Sequence, residues 1–271
     1  MRLTHVGGPT LLVEVDGWRL LTDPTFDAPG RRYDFGWGTS SRKLTGPALS
    51  VTQLGRLDAV LLTHDHHGDN LDDAGRAMLA TAETVVTTFV GASRLSHAGL
   101  VEPDRVVGLG PWSTTVLEAP GKPPLEITAT PCRHGPPLSR AVVGDVVGFA
   151  VGRSAQAGRC LWISGDTVLF PGVREVAERL AVDTAVLHLG GVRFPVTGPL
   201  RYTMNARDVV SLCRVLAPRI VIPVHYEGWA HFREGRAAAE RVLGRAPDST
   251  ARRVRWLDPG VPTEIGPAPP G

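Results

Sequence analysis

The sequence predicts an α/β fold, organised as one domain over residues 1–271. Short apolar runs of strand length alternate with amphipathic stretches of helix length along most of the chain. The length allows one large core, and 42% hydrophobic with 21% charged residues is typical of a globular enzyme. Only the Pro- and Gly-rich tail, from about residue 266, is expected to be frayed.

Charge and cysteine content exclude several classes of partner. Lys and Arg total 29 against 27 Asp and Glu, so the net charge of +2 is too small for a nucleic-acid footprint. Three cysteines without CxxC spacing predict a reducing compartment, by default the cytoplasm. No apolar run approaches the roughly 18 residues of a membrane span, and the N-terminus has no leader pattern. We therefore expect a small-molecule substrate, no nucleic acid and no membrane span.

The chain opens as a β-meander. Residues 11–15 and 18–21 flank Asp16-Gly17, which predicts a hairpin with a type I′ turn. Pro24 then ends the strand and leaves Asp23 at its tip, where the local sequence favours a plain turn residue. Residues 27–47 have no periodicity and predict a long loop that forms a pocket wall or is an ordinary loop pinned by aromatic residues.

The most informative stretch is 61–71, LLTHDHHGDNL, in which imidazoles and carboxylates directly follow an apolar run. It contains His64, Asp65, His66, His67 and Asp69 within six positions. Imidazole nitrogen and carboxylate oxygen are common zinc ligands, and a catalytic zinc uses three or four such groups with one open position. The stretch predicts part of a metal site.

Alternating elements continue to the C-terminus. The further strands are predicted at 57–63, 85–88, 105–108, 113–118, 125–131, 146–151, 161–164, 184–188, 219–224 and 254–257. Helices are predicted at 71–80, 90–97, 206–216 and 235–243.

Ligand-type residues recur just beyond predicted strands. His134, Asp166 and His225 each follow a strand, as Asp23 does. Strand ends at one edge of a sheet converge, so these side chains are expected to meet the 64–69 cluster. A metal held there lowers the pKa of a bound water to about 7 and polarises a carbonyl or phosphoryl group, which is hydrolytic chemistry.

Five motifs in one order carry a resemblance to a known family. They are Leu21-Thr22-Asp23-Pro24, Thr63-His64-x-His66 through Asp69-x-Leu71-Asp72, Pro131-x-Arg133-His134, Gly165-Asp166 and Pro223-Val224-His225. Together they resemble the metallo-β-lactamase superfamily, and the nearest branch contains phosphorylated-ascorbate lactonases and N-acyl-phosphatidylethanolamine-hydrolysing phospholipase D.

The resemblance implies a four-layer αββα sandwich built from two similar halves, with the metal site at one edge of two packed sheets. It assigns His64, one of His66 or His67, and His134 to a first metal. Asp166 would bridge or bind beside that metal, with Asp69 and His225 on the side of a second one. Asp23 would hold the histidine loop, which replaces its local interpretation as a turn.

Two departures from the family pattern affect the metal set. Four residues instead of three separate His64 from Asp69, so counting forward selects His66 while counting backward selects His67. Asp65 then points outward, or becomes an acidic ligand or a hydrogen-bond partner if the loop is rewound. Asn70 stands where the family has its last His, and an amide is a feeble zinc ligand. We expect one tight metal, Zn²⁺ or Mn²⁺, and a weakened second position.

The predicted function is a metal-dependent hydrolase of a lactone, ester, amide or phosphodiester, with Asp69 and Asp166 as its catalytic carboxylates and Asp69 as general base if the second metal is missing. His188 and His231 are lesser candidates for proton donor or substrate contact, or are ordinary buried histidines. Residues 27–47 and 193–203 are expected to shape the pocket. The alternative is a degenerate member that binds a small molecule or catalyses a non-hydrolytic biosynthetic step.

Overall fold

The computed structural model describes residues 1–153 and 159–266, so the predicted frayed tail lies outside the described residues from 267 onward. The strands are β1 (Arg2–Gly7), β2 (Thr10–Val15), β3 (Trp18–Thr22), β4 (Arg32–Gly36), β5 (Thr39–Arg42), β6 (Ala59–Leu61), β7 (Thr84–Thr88), β8 (Val106–Leu109), β9 (Thr114–Leu117), β10 (Leu125–Pro131), β11 (Val147–Gly152), β12 (Arg159–Ile163), β13 (Ala181–His188), β14 (Ile220–Val224) and β15 (Thr263–Glu264). The α-helices are α1 (Val51–Leu54), α2 (Asp73–Met78), α3 (Phe89–His97), α4 (Arg140–Val143), α5 (Pro171–Arg179), α6 (Ala206–Leu216), α7 (Arg236–Leu243) and α8 (Asp248–Ala251).

Thirteen of these strands form two sheets that repeat one pattern. The first sheet has the order β15-β1-β2-β3-β6-β7-β8 and the second β14-β13-β12-β11-β10-β9. In the first, β1 to β3 are antiparallel and β6 to β8 continue in parallel. In the second, β9 to β12 are antiparallel and β13 and β14 continue in parallel. The two similar halves implied by the family resemblance are therefore present.

Side chains alternate between two faces of each sheet and so define four layers. Leu61 and Ile163 belong to the cluster between the sheets. Their neighbours point the other way: Val60 packs with residues of α2 and α3, and Trp162 packs with residues of α5 and α6. Because successive strand residues face opposite sides, one apolar run contributes side chains both to the core between the sheets and to a core between a sheet and its helices. This confirms the predicted αββα sandwich.

The predicted hairpin near the N-terminus is confirmed. Asp16 and Gly17, between β2 and β3, have φ of 50° and 84°. Positive φ at both central residues is the requirement of a type I′ turn. Among the described residues, no helix has both the length and the apolarity needed to cross a membrane.

Three details differ from the sequence predictions. The loop predicted at 27–47 contains the hairpin β4–β5, in which buried Tyr33 alternates with exposed Arg32 and Asp34. The strand predicted at 254–257 is wrong, because only Val254 forms a bridge and the last strand is β15, paired with β1. Helix α5 was not predicted, since its apolar face is short and its first residue is a proline.

Candidate metal centre

The ligand-type residues predicted from the sequence follow strands that end at one edge of the sandwich. Asp23 follows β3 and the 64–69 cluster follows β6; His134 follows β10, Asp166 follows β12 and His225 follows β14. The strands β12 to β14 are parallel, as are β3 and β6, so their carboxyl ends lie side by side. Asp23, His64, Asp166 and His225 are fully buried at this edge.

Three imidazole nitrogens lie close together at this edge of the sandwich. Nδ1 of His67 lies 3.1 Å from Nε2 of His64 and 3.2 Å from Nε2 of His134. Zinc–nitrogen bonds of about 2.0–2.1 Å place two tetrahedral ligands about 3.3–3.4 Å apart. In this three-histidine cluster (His64, His67, His134), the two nitrogen pairs that include His67 already lie near the spacing that a divalent metal requires.

The outer nitrogens of two of these rings have partners that fix their orientation. His134 Nδ1 donates to the carbonyl oxygen of Tyr202 at 2.8 Å, which leaves its Nε2 as a lone-pair donor. His64 Nδ1 lies 3.0 Å from Oγ1 of Thr63, whose hydroxyl lies 3.0 Å from each carboxylate oxygen of Asp23. With the hydroxyl donating to Asp23 it accepts from His64, so Nε2 of His64 faces the cluster unprotonated.

Burial and mutual proximity keep these rings neutral. Burial is the main cause that lowers the pKa of His64 and of His67 well below the usual value, and neighbouring imidazoles lower both further. Burial also lowers the pKa of His134. Neutral imidazoles with converging lone pairs suit a cation, and one ligand atom each of His64, His134 and Asp166 lie within 4.8 Å of one another.

The structure separates His66 from His67. Nε2 of His66 forms a short hydrogen bond with the Val143 carbonyl, whereas Nδ1 of His67 faces the other two rings of the cluster. His66 also belongs to a group with His64 and His67 whose ligand atoms lie within 4.8 Å of one another. Its ring is half-buried, however, and its Nε2 is occupied by the Val143 carbonyl. A Cβ at Gly68 would lie 2.5 Å from Tyr33 Cδ1, so only glycine fits there.

Asp65 and Asn70 both form hydrogen bonds with neighbouring side chains. Arg94 contacts both carboxylate oxygens of Asp65, with Nε 2.7 Å from Oδ2. Burial raises the pKa of Asp65, but His66 and Arg94 outweigh it and hold that pKa below its usual range. Asn70 donates from Nδ2 to Asp23 at 3.4 Å. Asp65 is buried and paired with Arg94, so the structure favours the hydrogen-bonding role over a ligand role.

Asp69 is held by two imidazoles from the far end of the chain. Its Oδ2 lies 3.0 Å from Nε2 of His231 and 3.5 Å from Nε2 of His225. Burial raises the pKa of Asp69, but these two rings overcome it and hold the pKa well below the usual range. Nδ1 of His231 contacts Ser41 at 2.6 Å, so this ring joins β5 to Asp69. His231, a lesser candidate from sequence, lies in the site.

Asp166 and His188 lie deeper, beside His225. Oδ1 of Asp166 is 3.0 Å from Nδ1 of His188 and 3.3 Å from Nδ1 of His225. Burial raises the pKa of Asp166, but His225 and His188 lower it to about 2. Both predicted carboxylates are therefore anionic at neutral pH.

A pocket opens on the three-histidine cluster. Its volume is about 120 Å³, and His67, Asp69, His134 and His231 line it together with aromatic side chains, namely Phe35, Trp37, Phe194 and Tyr202. The aromatic residues come from the β4–β5 hairpin and from residues 193–203, the two segments that were expected to shape the pocket. Neither Lys nor Arg is among the lining residues in the described part of the chain.

Sequence reasoning missed most of the groups that orient the ligands. Thr63 was quoted in the motif without a role, although its position beside His64 was a usable signal. The Tyr202 carbonyl, Ser41 and Arg94 arrive from distant segments, and nothing in their local sequence indicates the contact.

Comparisons with known proteins agree with the observed fold. The family model described as "Beta-lactamase superfamily domain" matches residues 18–226. A UPF0173 metal-dependent hydrolase of Thermofilum pendens is 28% identical over 265 residues, covering 96% of each chain.

Two solved structures share the fold. A possible metal-dependent hydrolase from Veillonella parvula has a TM-score of 0.81 at 17% identity, covering 98% of this chain and 99% of that one. An isothiocyanate hydrolase from Delia radicum gut bacteria has a TM-score of 0.79 at 20% identity, with the same coverage.

Proposed function

The chain belongs to the beta-lactamase superfamily domain family, and from this premise we propose that it is a metal-dependent hydrolase of small molecules. His64, His67 and His134 would hold the tight metal, zinc or manganese, with Asp166 beside them. The observation that carries the proposal is that Nδ1 of His67 lies 3.1 Å and 3.2 Å from Nε2 of His64 and of His134, beside an open pocket. When bound, such a metal polarises the scissile group and lowers the pKa of a water molecule.

Asp69 is the group we assign to handling that water. It lines the pocket, and its Oδ1 has no hydrogen-bond partner within the described residues, while Oδ2 is occupied by His231. An ionised carboxylate with one free oxygen accepts a hydrogen bond from water and takes its proton as attack proceeds. His225 and His231 keep Asp69 in the ionised form that this role needs.

The pocket favours a neutral substrate. Aromatic rings form its wall, and the lining residues described above include no cationic side chain. A phosphodiester carries a negative charge, which proteins usually recognise with Arg or Lys. Of the bonds suggested by the lactonase and phospholipase branch, we therefore propose a lactone, ester or amide with an apolar or aromatic substituent.

The test is a substrate panel with metal-loaded protein: an aryl lactone, an aryl ester, an anilide, an aryl isothiocyanate and a bis-aryl phosphodiester. The isothiocyanate is included because a protein of the same fold bears that name. We expect turnover of at least one neutral substrate, loss of turnover after chelation, and no activity in His134→Ala. His97→Ala, which alters an exposed helix residue, is the matched control. Turnover of the phosphodiester alone would reject the proposed substrate class.

The alternative function, binding or a non-hydrolytic step, rests on Asn70, which places an amide where the related family pattern has an imidazole. The same panel separates the two. Stoichiometric tight metal with no hydrolysis of any substrate would favour the alternative. We also propose that the protein works in a reducing compartment, since Cys132, Cys160 and Cys213 are all free thiols.

A further inference from the structure

Behind the three-histidine cluster lies a second group of buried ligand-type side chains, on the ends of three adjacent parallel strands. Asp166 follows β12, His188 ends β13 and His225 follows β14. One ligand atom of each lies within 4.8 Å of the other two, and all three residues are fully buried. The rings of His188 and His225 stack with centroids 5.4 Å apart, and Oδ1 of Asp166 contacts Nδ1 of both.

Several polar atoms of this second group lack hydrogen-bond partners. Within the described residues, Nε2 of His188 and Oδ2 of Asp166 form no hydrogen bond, and the ring nitrogens of His225 have only carboxylate contacts, at 3.3 Å to Asp166 and 3.5 Å to Asp69. Buried polar atoms are rarely left without a partner, so Nε2 of His188 and Oδ2 of Asp166 call for an occupant. Two imidazoles and one carboxylate form a donor set that suits a divalent transition metal.

The backbone of His225 is also strained. Its φ is 56°, in the left-handed region that a residue with a Cβ rarely adopts. Its backbone N–H donates to the carbonyl oxygen of Gly8 at 2.8 Å, which ties this conformation to the β1–β2 turn. Strain of this kind is typical of residues that a site requires in one orientation.

The family resemblance already implies a second metal beside Asp166 and His225; we propose that His188 is a further ligand of that divalent cation and supplies the imidazole that the chain lacks at position 70. Asn70 is committed elsewhere, because its amide donates to Asp23. Asp166 belongs to both ligand groups, so its carboxylate would be available to both metals. This inference rests on the proposed metal-dependent function.

An alternative role for His188 is to orient Asp166 by a hydrogen bond, without binding metal. The two roles differ in what removal of the imidazole does to metal stoichiometry. If His188 only positions Asp166, removing its imidazole leaves two equivalents of metal bound. If His188 is a ligand, removing its imidazole leaves one equivalent.

The experiment is a metal titration of the full-length protein after dialysis against a chelator. Zn²⁺ or Mn²⁺ is added, bound metal is counted by elemental analysis, and Mn²⁺ pairs are followed by electron paramagnetic resonance. We expect two equivalents, the second weaker, and in the Mn²⁺ form a spin-coupled pair, since metals sharing a carboxylate lie roughly 3.5–4 Å apart.

His188→Gln keeps most of the side-chain volume and is expected to bind one equivalent without spin coupling. His97→Ala is the control and should keep two. Two equivalents of unchanged affinity in His188→Gln would overturn the assignment of His188, as would a single equivalent in the wild type, which leaves the proposed function intact. No metal in the wild type would instead reject the proposed function. The wild-type result stands even if the variant fails to fold.

Discussion

The substitution Thr63→Val tests whether the Asp23–Thr63–His64 chain prepares the metal site. Valine has nearly the shape of threonine, so the change removes one hydroxyl and little else. That hydroxyl contacts Nδ1 of His64 and both oxygens of Asp23 at 3.0 Å. Asp23 keeps a donor, because the backbone N–H of Thr63 lies 2.7 Å from Oδ1. The variant is therefore expected to fold while His64 loses its fixed tautomer.

The expected magnitude follows from the contacts that are lost. Removing the partner of a metal-binding histidine lowers metal affinity by about 10–100-fold, which is about 1.4–2.7 kcal/mol. Two lost buried hydrogen bonds at about 0.5–1.5 kcal/mol each should reduce the free energy of unfolding of the metal-free protein by about 1–3 kcal/mol. Both effects come from one hydroxyl.

The assay is competition between the protein and a chromogenic chelator, paired with urea unfolding of the metal-free form. Thr87→Val is the matched control, because Thr87 is fully buried and its hydroxyl has no hydrogen-bond partner within the described residues. The control should keep wild-type affinity and stability. If Thr63→Val binds metal within threefold of the wild type, the proposed chain does not orient His64.

Three further outcomes are expected. His67→Ala should lose the tight metal equivalent while His66→Ala keeps it, as measured by elemental analysis; the reverse result would show that the inserted residue was assigned wrongly. Lys43→Met should lower the free energy of unfolding by about 3 kcal/mol, because it leaves the buried carboxylate of Asp72 with only backbone donors; Arg31→Met, at an exposed pair, should leave it nearly unchanged. In the metal-free folded protein, the pKa values of the three clustered histidines lie below the usual histidine value of about 6.5, so the unfolded chain takes up protons first as the pH falls. The melting temperature should therefore fall as the pH drops below about 6.5, whereas a flat profile would contradict these pKa directions.

The sequence was most informative where periodicity and strand ends determine position. Alternating apolar runs predicted both sheets, and the residues just after them, from Asp23 to His225, meet at one edge because parallel strands end together. The β4–β5 hairpin was not predicted, since only Tyr33 and Phe35 on its inner face are apolar and the turn depends on glycine.

The choice between His66 and His67 lay beyond the sequence for a physical reason. It depends on which ring meets Val143 of α4 and on how Tyr33 packs against Gly68, and both partners are distant in the chain. The contact of His231 with Asp69 is likewise long-range, across 162 positions. Spacing within one motif carries no information about such contacts.

The most direct test of the account is a crystal structure of protein purified without added metal, with anomalous data collected at the zinc and manganese edges. We predict a peak within bonding distance of Nε2 of His64, Nδ1 of His67 and Nε2 of His134. A peak bound to His66 instead of His67, or no peak at the three-histidine cluster, would contradict it.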